Sequence, residues 1–201
     1  MKIRTTVLAS SALTAALILA GCSSTAGMGG MEEMGDSPTP TSSATTSAVF
    51  NNADETFTME MIAHHQQAIE MADMLLAKDG VDERVTALAG EIKAAQEPEL
   101  ELMNGWLEDW GITTGDTSME GMDHGGMMMS EEDMTALDDA PGAEASALFL
   151  EQMTEHHQGA IEMAQLELND GENPDALTLA QKIIDDQTAE IETMKSILET
   201  L

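Results

Sequence analysis

The sequence predicts an all-α protein: a four-helix bundle built from two copies of one helical hairpin. Three observations carry this prediction: a sixteen-residue motif that occurs twice, apolar residues at helical spacing, and turn residues where each helix must stop. The remaining chain divides into a signal, a tether and a linker, taken here in chain order.

Residues 1–21 read as an export signal. Met1-Lys2-Ile3-Arg4 supplies a basic start, an apolar run extends from Val7 to Ala20, and Leu19-Ala20-Gly21-Cys22 supplies a small-residue cleavage site. The apolar run is too short to cross a bilayer. Leu-Ala-Gly-Cys resembles the lipobox at which bacterial lipoproteins are cut and acylated, so Cys22 is expected to be the lipidated mature N-terminus, anchoring the protein outside the cytoplasmic membrane. It is the single cysteine, which excludes an intramolecular disulfide. Residues 22–52 are Gly, Ser, Thr, Pro and Met with almost no large apolar side chain, the composition of a disordered tether.

Residues 53–111 form the first hairpin. Met61, His64, His65, Ala68, Met71 and Leu75 follow the three, four and seven spacing of a buried helical stripe. Lys78-Asp79-Gly80 ends that helix, with glycine free to take a left-handed cap. Pro98 lies inside the next helix, where it should kink or interrupt the backbone. Residues 112–142 are rich in Gly, Met, Asp and Glu and read as a structureless linker. Residues 143–201 repeat the hairpin. Phe57 to Ala72 matches Phe149 to Ala164 at an offset of 92, with 10 of 16 residues identical. After a one-residue shift, Leu88, Ala89, Ile92, Gln96, Glu99 and Met103 match Leu179, Ala180, Ile183, Gln187, Glu190 and Met194. Asn169-Asp170-Gly171 stops the repeated first helix by the same left-handed device, and Asn173-Pro174 starts the last one.

Composition narrows the function. A formal charge of −31, deepened by loss of Lys2 and Arg4 with the signal, excludes nucleic acid as a partner and favours cations. Eighteen methionines accompany only 3 Phe, 2 Trp and no Tyr. Methionine is both a flexible core filler and a soft thioether donor, so position must decide which it is. Met28, Met31 and Met34 in the tether, and Met119, Met122, Met127, Met128 and Met129 around His124 in the linker, have no helix to fill. Soft sulfurs on a Gly-rich chain suit Cu(I) or Ag(I), with an imidazole alongside.

His64-His65 and His156-His157 sit on or beside apolar faces, which is costly unless the rings find partners. Adjacent helical residues point about 100° apart, so neither pair grips an ion alone; donors must come from several helices. Glu99 and Glu190 are candidate carboxylates to orient the imidazoles or to bind directly. The plainer alternative is a structural histidine pair copied by duplication. A di-iron enzyme is disfavoured because no Glu-x-x-His occurs in the chain. No Ser-His-Asp order, phosphate loop or nucleophilic cysteine appears either.

Two copies of Met-x-x-His-His-Gln-x-Ala-Ile-Glu-Met-Ala, each followed by Ile and Gln-x-x-Glu-x-x-x-Met, resemble the bacterial domain-of-unknown-function family 305 over residues 54–110 and 143–200. The resemblance implies a secreted or lipid-anchored ferritin-like bundle, and some members of that family bind copper. It places Met61, His64, His65, Met71, Met153, His156, His157 and Met163 at copper-related positions. The long Met-rich insert around His124 is this chain's main departure from the family pattern. The expectation is a non-enzymatic lipoprotein that binds copper for sequestration, tolerance or delivery, with a copper-handling protein as a further partner. A metal-dependent redox enzyme and a metal-free helical interaction module are the competing classes.

Overall fold

The computed structural model describes residues 49–112 and 127–201. Among the described residues there are five helices and no strand: α1 (Asn52–Leu76), α2 (Glu83–Trp110), α3 (Glu131–Asp139), α4 (Gly142–Asp170) and α5 (Pro174–Leu198). The all-α class is as expected, but the helix count is one higher, because the linker's end is not structureless. Ser130 accepts the Asp133 N–H, and Asp133 reaches back to the Ser130 N–H, a reciprocal cap that starts α3. Leu137 then buries completely against α1 and α4. The signal, Cys22, the tether methionines and Met119, Met122 and His124 lie outside the described residues.

Asn51 caps α1, accepting from the N–H groups of Ala53 and Asp54 while Asp54 accepts from the Asn51 N–H. The predicted stripe is real: Met61, His64, His65, Ala68, Met71 and Leu75 all face inward. α2 runs unbroken through Pro98, contrary to the expected interruption. Pro98 and Ala94, whose carbonyl loses its helical donor, are both exposed, so water can take the vacated bond. Gly80 has φ +79, as its turn requires. Gly171, by contrast, is extended at φ −73, a correction to the left-handed cap expected there. A Cβ at Gly171 would meet the Glu167 carboxylate at 2.3 Å, so glycine serves close approach rather than backbone handedness.

α1 packs on α2, α4 on α5, and α1 on α4. α1 and α4 run antiparallel, since Asn51 at the start of α1 donates from its side chain to the Asp170 carbonyl at the end of α4. Repeat-equivalent contacts close each end. Asp54 of α1 accepts the N–H groups of Glu172 and Asn173 before α5, and Ser146 of α4 accepts the Asp82 N–H before α2. The apolar interior forms two clusters, one containing Met61, Met103 and Met163 and the other Met71, Met153 and Met194.

Candidate metal centre

The hairpin repeat brings all four paired histidines into the interior. His64, His65, His156 and His157 are each 0 % exposed. His64 of α1 and His156 of α4 meet face to face, ring centroids 3.6 Å apart and tilted by 32°. The adjacent histidines turn the other way, each to the second helix of its own hairpin. His65 Nε2 donates to Glu99 at 2.8 Å and His157 Nε2 donates to Glu190 at 2.6 Å. This is the geometry expected from residues 100° apart: one histidine of each pair joins the halves, and the other engages a carboxylate.

These bonds fix which ring nitrogen remains free. The Met127 carbonyl, which can only accept, takes a hydrogen bond from His64 Nε2 at 2.9 Å. With Nε2 donating, the lone pair of the His64 ring resides on Nδ1, and the Nδ1 atoms of His64, His65 and His157 are all buried without a partner. His156 has no partner on either nitrogen. Burial first, then the neighbouring imidazoles, pushes the His64 pKa down to about 3, and the same causes hold His156 well below the ordinary value. Both rings are therefore neutral at physiological pH, the form that ligates a metal. Burial raises Glu99, but the His65 bond and the Lys182 ammonium outweigh it, leaving Glu99 below its ordinary pKa and ionised.

Among the described residues no three His, Cys, Asp or Glu side chains converge as a ready ligand set. Further donors would have to be thioethers or amides. Met61, Met71 and Met153 are fully buried and Met163 nearly so, but the two core clusters separate them: Met61 lies with Met163, and Met71 with Met153. The eight residues of the repeated motif thus do not form one cluster. Met103 and Met194, one turn beyond Glu99 and Glu190, join these same clusters and are equally buried. Gln96 and Gln187 are buried too, Gln96 with neither amide atom bonded and Gln187 with its oxygen unbonded. Their three- and four-residue spacing, repeated in register, is the sequence signal that marks them as donors on the second helices.

The end of the Met-rich segment is not a free arm. Gln67 clasps Met129 twice, accepting from its N–H at 2.8 Å and donating to its carbonyl at 2.9 Å. At the repeat-equivalent position α4 has Gly159, where a Cβ would meet the Met127 carbonyl oxygen at 2.5 Å. Met127, Met128 and Met129 therefore lie half-buried against the body, with Met127 beside the His64–His156 pair.

The sequence profile of the Domain of unknown function (DUF305) matches residues 54–198, spanning both histidine pairs. The chain belongs to the DUF305 family. A DUF305 fragment from Deinococcus radiodurans is 30% identical with a TM-score of 0.68, over 75% of this chain and 98% of that one. A DUF305 protein from Streptomyces coelicolor, provisionally described as secreted, is 32% identical with a TM-score of 0.67, over 74% and 91% of the two chains. CopM in its Cu(I)-bound form is 31% identical with a TM-score of 0.60, over 73% of this chain and 96% of CopM. CopM has also been crystallised in Cu(II)-bound and Ag-bound forms. No curated protein matches this DUF305 chain. No described helix is long and apolar enough to cross a membrane.

Proposed function

We propose that this DUF305 protein is an extracytoplasmic lipoprotein, anchored through Cys22, that binds copper, chiefly Cu(I), for sequestration, tolerance or delivery. One observation carries the reading: four histidines are buried around an interface between the two hairpins, with every Nδ1 lacking a hydrogen-bond partner and the facing rings of His64 and His156 neutral. Burying an unsatisfied polar group costs about 1–3 kcal/mol; four repeated instances are better explained by a ligand than by packing. Imidazole beside buried thioether is a soft donor set that favours Cu(I) over Mg(II) or Ca(II), and Cu(II) also accepts imidazole. CopM, 31% identical to this chain, has Cu(I)-bound and Cu(II)-bound structures, which supports the same cargo here.

In this reading His64, His65, His156 and His157 hold the ion through nitrogen. Met61 with Met163 supplies sulfur from one core cluster and Met71 with Met153 from the other, and Glu99 and Glu190 orient the rings. Met119, Met122 and His124, outside the described residues, capture copper and pass it inward by way of Met127, Met128 and Met129, which lie against the body. Binding, not turnover, is the activity. Titration of the protein from residue 22 onward with Cu(I) against a competing chelator tests this, with two variants in parallel. Replacing all four paired histidines should abolish the tight site, whereas deleting 119–126 should slow or weaken uptake and leave the tight site intact. Tight binding that survives loss of the four histidines and of the insert methionines would overturn the proposal.

A further inference from the structure

The two repeats do not present equivalent histidines, and the difference lies in one lysine. Glu99 carries His65 on one carboxylate oxygen, and its other oxygen accepts from Lys182 of α5 at 2.8 Å. Lys182 also bonds Asp186 one turn along its own helix, at 2.6 Å, which holds the ammonium in place. In the other half the residue equivalent to Lys182 is Glu91. Glu190 accordingly has His157 as its sole ion-pair partner among the described residues. Its side chain is 22 % exposed, against 11 % for Glu99.

A carboxylate that accepts from the distal N–H of a ligating imidazole strengthens the donor on the far side of the ring, because its negative charge stabilises positive charge drawn onto the ring by the metal. A second cation on the same carboxylate takes up part of that charge. His157, backed by an uncommitted Glu190, is then the stronger donor, and His65, whose Glu99 is shared with Lys182, the weaker. We propose that Lys182 makes the copper centre asymmetric, so that the position engaging His157 loads first and the position engaging His65 loads second and releases first. Such a gradient gives a delivery protein a readily surrendered ion beside a retained one. Lys182 is a positioning residue acting through Glu99.

This inference rests on the copper reading above, and Ag(I), which is diamagnetic and does not change oxidation state here, separates the two. Long-range nitrogen–proton spectra of the imidazoles should show His157 responding at lower Ag(I) than His65. In Lys182→Met the two should respond together, with the His65 affinity raised several-fold, while Lys93→Met, which removes a half-buried lysine paired with Asp73, should change nothing. Glu190→Gln should weaken the His157 response by about tenfold or more and Glu99→Gln should weaken His65 by less. Simultaneous response in the unmodified protein, or His65 first, would overturn the asymmetry and leave the copper reading standing. Silence of all four histidines while Ag(I) binds elsewhere would overturn both.

Discussion

Glu167 and Asp54 show how much a single buried pair can control. Asp54 accepts backbone N–H groups from Asn51, Glu172 and Asn173, and Glu167, 1 % exposed, lies against it with no donor on either oxygen. Burial first, then Asp54, pushes Glu167 up to about 8, so it carries the proton that the pair shares. Burial raises Asp54 as well, but its hydrogen bonds prevail and hold it below its ordinary value. A folded-state pKa raised above the unfolded value means stability that is full below pH 4.5 and lost as pH rises toward about 8. The loss is at most about 1.4 kcal/mol per pH unit. Asp54 contributes in the opposite sense, with stability lost as pH falls through its lowered pKa. Urea midpoints should therefore decline between pH 5 and 8, and Glu167→Gln should flatten that decline; a midpoint that rises over this range contradicts the assignment. His156 yields a second expectation. Replacing it with Leu removes two unbonded nitrogens, so the metal-free protein should melt higher, by up to about 1–3 kcal/mol of added stability, while copper binding weakens. A lower melting temperature without metal would show that the ring is packed for structure.

At the scale of elements, the long helices were legible and the short one was not. α1 and α4 each carry a stripe several turns long, punctuated by Gly80 and by Asn173-Pro174, so period and stop signals agree. α3 has nine residues and one buried side chain, Leu137, too few for a period, and its neighbours are Gly and Met. Its one local sign, Ser130 three residues before Asp133, is a capping pair hidden in an acidic run. Pro98 does not interrupt α2: the sequence shows a lost hydrogen bond but not that Ala94 and Pro98 are exposed, where water can replace it. Ser130→Ala should cost about 1 kcal/mol and Leu137→Ala about 2–5 kcal/mol in chemical denaturation if α3 belongs to the folded unit; no change in either would mean that it frays independently. Gly159→Ala should displace Met127 and open its bond to His64. Amide exchange at Met129 should then accelerate with the helices intact, an outcome that unchanged exchange would refute.

Across the whole molecule, duplication explains what the sequence revealed and what it concealed. Repetition alone exposes the hairpins, the paired histidines and Glu99 with Glu190. It could not say that His64 meets His156 across the halves, because that contact depends on α1 and α4 running antiparallel. Nor could it say that Met61 and Met163 share one core cluster while Met71 and Met153 share another, since residues distant in the repeat become neighbours only through that packing. Departures from the repeat were harder still: Gln67 against Gly159, and Lys182 against Glu91, matter for the partners they meet in space. The centre ties the hairpins together, so a bound ion should stabilise the body as a unit, by about 2.7 kcal/mol at a free concentration one hundred times the dissociation constant. The most direct test is X-ray absorption at the copper edge on protein from residue 22 onward, loaded with one equivalent of Cu(I). Imidazole nitrogen together with thioether sulfur around the metal, the nitrogen signal falling by more than half when all four paired histidines are replaced, is the predicted result. A spectrum of oxygen donors alone, or one unchanged in that variant, would contradict the account.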